Sequence, residues 1–303
     1  MMETKLFQQK ISTILPGIEL RFDESMARHT SFQIGGPAAV MAFPKNPEEL
    51  AEILKKSSVL DCKIAILGAG TNILAPDDGL DLLVICLKDC FDGMRRLKGD
   101  RIRVLAGVTM SRLAVFAASQ GLGGLEFAHG IPGTVGGGVY MNAGAYGGEI
   151  KDVCESVDVM GNDGSIVTIP AAQMDFSYRH SRLEAEGGIV VSAIFKLTPK
   201  PEAEIREQMQ ELLRKRKTSQ PLEYPSAGSA FKRPVGGFAA ALIDQAGLKG
   251  FRIGGAAVSE KHAGFVVNLG GATAQNVLDL LEQVAKSVYE HSGIQLEPEV
   301  RIW

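Results

Sequence analysis

The chain has 303 residues, 45% of them hydrophobic and 22% charged, with a formal net charge of −3. This is the composition of an ordinary globular protein with room for two domains of about 100–200 residues each; the slight negative charge speaks against a nucleic-acid or anionic-membrane partner, and no apolar run approaches the ~20 residues of a membrane span. The opening MMETKLFQQKIS lacks the apolar stretch of a secretory signal, and the four cysteines (Cys62, Cys86, Cys90 and Cys154) form no C-x-x-C pair, so a cytoplasmic protein with reduced, structural thiols and no metal centre is expected.

An α/β segment is expected to begin near Ser31. Asn46-Pro47-Glu48-Glu49 combines an N-cap, a proline in the first helical position and acids at the positive end of the dipole. Leu50, Ile53 and Leu54 then share one helix face. Buried-strand patterns follow at Lys63–Leu67 and Leu82–Leu87, with a further strand at Ile102–Leu105. Ser111 is expected to cap a helix that turns Leu113, Phe116 and Ala117 inward and stops at Gly121. Strands at Val153–Met160 and Ser165–Ile169 flank the hairpin turn Asn162-Asp163-Gly164, and Gly188–Leu197 is another strand. The composition changes at Thr198-Pro199-Lys200-Pro201. Two domains are therefore expected, residues 1–198 with a core at about 28–198, and residues 199–303. A charged helix with Ile205, Met209, Leu212 and Leu213 inward ends in Arg214-Lys215-Arg216-Lys217, cations suited to the negative end of its dipole. Helices are expected at 235–246, closed by Gly247, and at 274–291, capped by Thr273 and striped by Val277, Leu280, Leu281, Val284 and Val288. Gly264–Asn268 and Glu299–Trp303 read as strands. The order of elements is α+β and not a βαβ series.

Eleven glycines crowd the stretch from Gly121 to Gly148. Each costs backbone entropy and gives nothing to pack, so the gain must be positive φ or close approach of bare main chain to a bound group. Runs of exposed N–H groups form concavities that hold anions, which points to a phosphate-bearing cofactor. A second loop, Leu67-Gly68-Ala69-Gly70-Thr71-Asn72, follows a strand and begins like G-x-G-x-x-G, but Ile73 stands where the third glycine of a Rossmann turn belongs. Neither this loop nor Gly130-Ile131-Pro132-Gly133-Thr134-Val135-Gly136-Gly137 carries the Lys-Ser/Thr of a P-loop. Together the two loops could line a long diphosphate cofactor, with Thr71, Asn72 and Thr134 adding side-chain groups; the plain alternative is a turn-rich domain that only needs positive φ.

Other residues carry candidate chemistry. Arg179, in Phe176-Ser177-Tyr178-Arg179-His180-Ser181, offers a planar fork to a carboxylate or forms a surface salt bridge. His180 and His129 are expected to hydrogen-bond locally. Ser229 stands in a small-residue turn, Pro225-Ser226-Ala227-Gly228-Ser229-Ala230-Phe231, that is not a nucleophile elbow; it either caps a helix or gives a proton. Glu297 and Glu299 share one face of the last strand, where acids are ordinarily solvated. The Arg214–Lys217 run is a helix end or a diphosphate contact.

The segments HTSFQIGG, LGAGTNIL, GIPGTVGGGVYMNAGAYGGE, FSYRHS, PSAGSAFKRP, LKGFRIGGAAVSEKHAGFVVN and LEPEVRIW, in that order from about Arg28 to the C terminus, resemble the UDP-N-acetylenolpyruvoylglucosamine reductases, flavin enzymes of peptidoglycan precursor synthesis. The resemblance implies a vanillyl-alcohol-oxidase-like FAD-binding domain of two small α/β subdomains and a C-terminal α+β substrate-binding domain. It implies noncovalent FAD, contacted by Gly68, Ala69, Gly70, Thr71, Asn72, Gly130, Ile131, Pro132, Gly133, Thr134, Gly136, Gly137, Asn142, Ala143 and Gly144. It implies that hydride passes from NADPH through FAD to the vinyl carbon of UDP-N-acetylglucosamine enolpyruvate, giving UDP-N-acetylmuramate. Arg179 would stabilise the enolate, Ser229 would protonate carbon, and Glu299 would hydrogen-bond the enolic intermediate. The short stretch before PSAGS is similar to the branch without a long tyrosine-bearing loop, which leaves Tyr178, Lys232, Arg233 and the Arg214–Lys217 run as candidate substrate contacts. The rival functions are another FAD-dependent oxidase or dehydrogenase of the same cofactor fold, with flavin attached through His129, and a non-enzymatic nucleotide-binding module.

Overall fold

Asn46 caps its helix as the sequence requires: its side chain accepts the Glu49 amide at 2.8 Å, Pro47 opens Pro47–Ser58, and Leu50, Ile53 and Leu54 are buried. The computed structural model describes residues 2–303. The strands expected before residue 198 are present and, with three that the sequence did not signal (Glu19–Ser25, Pro37–Phe43 and Met94–Leu97), build two sheets that lie largely in one unit. One runs in the order Glu19–Ser25, Pro37–Phe43, Leu80–Cys86, Ile64–Leu67, the last two in parallel. The other is five-stranded and antiparallel, ordered Ile166–Pro170, Cys154–Met160, Ile189–Lys196, Arg101–Leu105, Met94–Leu97. The α+β class is thereby borne out. Cys86 and Cys154 are buried, and burial pushes both thiols up to about 12, so neither is a thiolate at neutral pH.

The chain divides into two discontinuous units, Met1–Phe22, Val40–Ala69 and Leu82–Lys215 in the first, and Asp23–Ala39, Gly70–Asp81 and Arg216–Trp303 in the second. The sequence suggested a single cut at 198 and 199. The helix Glu202–Ser219 instead falls mostly in the first unit, because Ile205 and Met209 are buried in that unit's core. Leu212 and Leu213 are only half-buried, while Arg216 is buried. The core also starts before residue 28: the unpredicted helix Met2–Ile14 leads into it, with Ile11 and Leu15 buried. The helix Met110–Ser119 is capped by Thr109, whose hydroxyl accepts the Arg112 amide at 3.3 Å, and not by Ser111. Tertiary pairing decides this: Thr109 bridges Thr134, through Met110 N–H to Gly133 C=O at 3.0 Å and Val135 N–H to Val108 C=O at 2.8 Å.

The second unit holds an antiparallel sheet ordered Ser226–Ser229, Phe265–Asn268, Ala256–Val258, Arg252–Ile253, and the helix Ala274–Ser292. Thr273 and Asn276 form a reciprocal capping box there. Asp77, some two hundred residues away in sequence, adds its carboxylate to the same helix start, accepting Ala274 N–H at 2.8 Å and Gln275 N–H at 3.3 Å. That bond set explains why residues 70–81 belong to the second unit. The helix expected at 235–246 starts only at Ala239, since Gly236 and Gly237 follow Pro234 and leave Val235 almost fully exposed. The expected strand Glu299–Trp303 shortens to Arg301–Ile302, paired in parallel with Ile73–Leu74.

Leu280 is fully buried on the helix stripe of the second unit. Leu280→Ala should lower stability by about 2–5 kcal/mol. Urea denaturation checks this, and a loss under about 1 kcal/mol would place Leu280 outside a packed core.

Candidate active site

In the first unit the two glycine loops meet. A β-carbon on Gly68 would lie 2.5 Å from the Thr134 hydroxyl oxygen, so only glycine lets these chains approach. Several belt glycines serve packing in the same way. Added β-carbons on Gly136, Gly138 and Gly148 would lie 3.0 Å from Ala106 Cβ, 2.8 Å from Met110 Sδ and 2.6 Å from the Phe127 ring. Much of the belt's main chain is also spent internally, which differs from the open anion cradle that its composition suggests. Val135, Gly136, Gly138 and Ala143 donate to Val108, Ala106, Thr134 and Gly138 carbonyls at 2.8–2.9 Å. What remains is specific. The N–H groups of Gly68, Ala69, Gly133 and Thr134 donate no hydrogen bond among the described residues. Most N–H groups in a folded chain are paired, so four unspent donors on two touching loops suit an anionic, diphosphate-bearing group. The donor chemistry therefore fits FAD.

Asn142 is 1% exposed and uses its side chain wholly inside the unit. Its Nδ2 donates to Glu149 Oε2 at 2.6 Å and to the Ser177 carbonyl at 2.9 Å, and its Oδ1 accepts the Lys151 amide at 3.0 Å. It ties the belt to the turn that carries Arg179. In that turn Ser177 and His180 exchange backbone hydrogen bonds at 3.2 Å, and Arg179 sits at φ +56°. A non-glycine residue in this region costs about 1–3 kcal/mol and marks a functional candidate. The half-buried guanidinium reaches the Gly144 carbonyl at 3.4 Å and lies 5.2 Å from the centre of the exposed Tyr178 ring. His180 bonds locally as expected, Nδ1 to Glu184 Oε2 at 2.7 Å. His129 does not: its Nδ1 is buried without a hydrogen-bond partner among the described residues, and desolvation lowers its pKa, keeping the ring neutral at pH 7.

In the second unit the middle of residues 225–231 forms a short strand, Ser226–Ser229, in place of the expected turn. Ser226–Ser229 pairs with Phe265–Asn268 through a register shift, and Gly228 takes φ +80°. Such an irregularity re-aims the side chain that follows it, here Ser229, whose hydroxyl makes no hydrogen bond among the described residues. The Glu299 amide donates to the Ala230 carbonyl at 2.9 Å, so Ser229 and Glu299 lie on adjoining segments. Glu299 is only 9% exposed, whereas Glu297 is exposed and ion-paired with Lys232. The Arg233 guanidinium stacks 4.3 Å above the Phe238 ring. Gly70, at φ +61°, has the His29 carbonyl where a β-carbon would sit. Ser31, which the sequence left without a role, joins the two segments: its amide donates to the Gly70 carbonyl at 3.0 Å and its hydroxyl to the Ser226 carbonyl at 2.6 Å. Its place in HTSFQIGG was the only sequence signal for it.

Comparison with known proteins bears on these features. Residues 37–170 match the model of an FAD binding domain, and residues 220–303 match the C-terminal domain of UDP-N-acetylenolpyruvoylglucosamine reductase. The chain is 45% identical to the UDP-N-acetylenolpyruvoylglucosamine reductase of Agathobacter rectalis, covering 98% of each chain. It is also 45% identical to that of Streptococcus pneumoniae, covering 97% of each. The crystal structure of the reductase from Thermus caldophilus superposes with a TM-score of 0.80 at 39% identity, over 94% of this chain and 98% of that one.

Relief of the strain at residue 179 is measurable apart from any activity. Arg179→Gly should raise stability by about 0.5–1 kcal/mol, the αL cost less the entropy of glycine in the unfolded chain. A lower urea midpoint for this variant would mean that the guanidinium anchors the turn and that φ +56° carries no strain.

Proposed function

The chain belongs to the UDP-N-acetylenolpyruvoylglucosamine reductase family, and from that premise we propose how its own residues reduce UDP-N-acetylglucosamine enolpyruvate to UDP-N-acetylmuramate. It is a flavoprotein oxidoreductase of peptidoglycan precursor synthesis, using FAD and NADPH. The expected two-domain division is retained as a division of labour: the N-terminal part, to residue 198, holds FAD and the part from 199 receives substrate. The N–H groups of Gly68, Ala69, Gly133 and Thr134 would hold the diphosphate of noncovalent FAD, with Gly70, Thr71, Gly130, Ile131, Pro132, Gly136, Gly137, Ala143 and Gly144 shaping the cradle. The chemistry supplied by the bound cofactor would be hydride transfer, from NADPH and on to the vinyl carbon of the substrate.

The protein's own groups do the rest. Adding hydride to an enol ether is difficult unless the neighbouring carboxylate takes up developing negative charge. The fixed guanidinium of Arg179 stabilises that charge, a role suited to a planar, always-charged fork. Ser229 gives its hydroxyl proton to the adjacent carbon. Glu299 hydrogen-bonds the enolic oxygen. Tyr178, Lys232 and Arg233 contact the sugar nucleotide. No helix of the described residues is long and apolar enough to cross a membrane, and a cytoplasmic setting suits both NADPH and a nucleotide-linked sugar.

One observation supports this assignment above others. The Ser229 hydroxyl, which makes no hydrogen bond among the described residues, adjoins a carboxyl-bearing residue that is nine-tenths buried, with the two segments joined by the Glu299–Ala230 bond. Ser229→Ala should cut turnover of the enolpyruvyl substrate by about 10²–10³-fold while FAD stays bound and bleaches with NADPH. Turnover near the wild-type value in anaerobic flavin-reoxidation assays removes Ser229 from the reaction. Arg233→Ala should raise the substrate KM about threefold or more with kcat little changed, the pattern of lost uniform binding. An unchanged KM places Arg233 away from the nucleotide.

A further inference from the structure

We propose that Asn72 is a positioning residue for Glu299, its side-chain amide standing in for a main-chain bond of the strand pair that carries this carboxyl. The inference rests on the proposed role of Glu299. Arg301–Ile302 runs parallel to Ile73–Leu74, with Arg301 opposite Ile73 and Ile302 opposite Leu74. The ladder is regular at its far end, where the Trp303 amide donates to the Leu74 carbonyl at 3.1 Å, and one step back the Arg301 amide donates to the Asn72 carbonyl at 3.0 Å. Evenly spaced parallel pairing would next have the Asn72 main-chain N–H donate to the Glu299 carbonyl. It does not. The Asn72 side chain makes that bond, Nδ2 to the Glu299 carbonyl at 3.1 Å.

Two consequences follow from this exchange. Glu299 is pinned on both sides of its α-carbon, by its N–H on the Ala230 carbonyl at 2.9 Å and by its C=O on Asn72. The backbone that carries its carboxyl is thereby held beside Ser229 by one main-chain bond and one side-chain amide. The Asn72 main-chain N–H, released from the ladder, donates no hydrogen bond among the described residues. The side chain that the sequence assigned to the cofactor is thus occupied with Glu299, and the cofactor loop keeps a main-chain donor instead.

The test uses the full-length, FAD-loaded protein and two variants, Asn72→Asp, which keeps the shape but turns the donor into an acceptor, and Asn72→Ala. Hydrogen–deuterium exchange of the peptide 296–303 should quicken by about fivefold or more in both, the weight of one hydrogen bond, with the helix 274–292 unaffected. Reoxidation of the reduced protein by the enolpyruvyl substrate should slow by about tenfold or more with a larger solvent isotope effect, while KM changes much less than kcat. Unchanged exchange in 296–303 overturns the proposal whatever the activity. Flavin loss with unchanged exchange assigns the side chain to the cofactor and also overturns it. Faster exchange with reoxidation within about twofold of wild type takes Asn72 out of the reaction and overturns it as well. Faster exchange in a protein whose wild type does not turn over the substrate leaves the clamp standing and sinks the assigned reaction instead.

Discussion

The cradle proposed for the cofactor in the first unit depends on one close approach, main chain at Gly68 against the hydroxyl of Thr134, with 2.5 Å where a β-carbon would need nearly 4 Å. Because Gly68 has no side chain, the end of the strand Ile64–Leu67 can lie against the belt. Because the belt's own amides from Val135 onward are tied to Val108 and Ala106, the Thr134 side of this meeting is held rigidly. Among the described residues, unspent N–H groups then face this meeting from both loops, Gly68 and Ala69 on one and Gly133 and Thr134 on the other. Such donors cost little while water reaches them, and they form stronger, charge-assisted bonds to a diphosphate. Glycine here acts in two capacities, close packing at Gly68, Gly136 and Gly138 and backbone freedom at Gly133, whose φ is +131°.

In the second unit the two groups proposed to react, Ser229 and Glu299, are placed by backbone, and the Ser229 hydroxyl makes no hydrogen bond among the described residues. Gly228 supplies the positive φ that turns the strand at its irregularity, and the following residue is Ser229. Glu299 is placed by its own peptide groups. Side chains that do structural hydrogen-bonding are different ones: Ser31 on Ser226, Asn72 on Glu299, and Asn268, whose Nδ2 donates to the Phe32 carbonyl at 3.0 Å. A proton donor must keep its hydroxyl available for substrate, so a design that spends neighbouring amides and hydroxyls on position while sparing Ser229 is consistent with the assigned chemistry.

The sequence made local structure legible wherever one short pattern decides it. The caps at Asn46 and Thr273, the stripe from Val277 to Val288, and the strands near 64, 83, 155, 190 and 266 depend on neighbours in sequence, and they are found. What depends on distant partners was hidden. Thr109 and Ser111 are equally plausible caps until Thr109 bridges Thr134. The helix Met2–Ile14 has polar residues around most of its surface and is held by Ile11, with Leu15 just beyond it, in a core built from later segments. The two-unit division cannot be read from composition, because it turns on Asp77 reaching the start of a helix at Ala274. The glycine belt was conspicuous, but which of its amides are spent internally depends on carbonyls at 106 and 108.

Backbone strain separates Arg179 from the other unusual residues. Among the described residues nine non-glycine residues have positive φ, and six of them are Asp or Asn, whose short side chains tolerate that region. Gln33, Tyr146 and Arg179 do not share that excuse. Arg179 is further confined by a two-residue turn and by Asn142, which grips the Ser177 carbonyl from the belt. A long, flexible cation needs no such confinement to form a surface ion pair, which is worth about 0–1 kcal/mol. It does need it to present a guanidinium at one place before the reacting charge appears, since preorganised charge is what lowers the barrier. The cost of holding Arg179 is therefore borne by the glycine belt, through Asn142, and the segment proposed to shape the cofactor cradle also sets the strained cation proposed for the reaction.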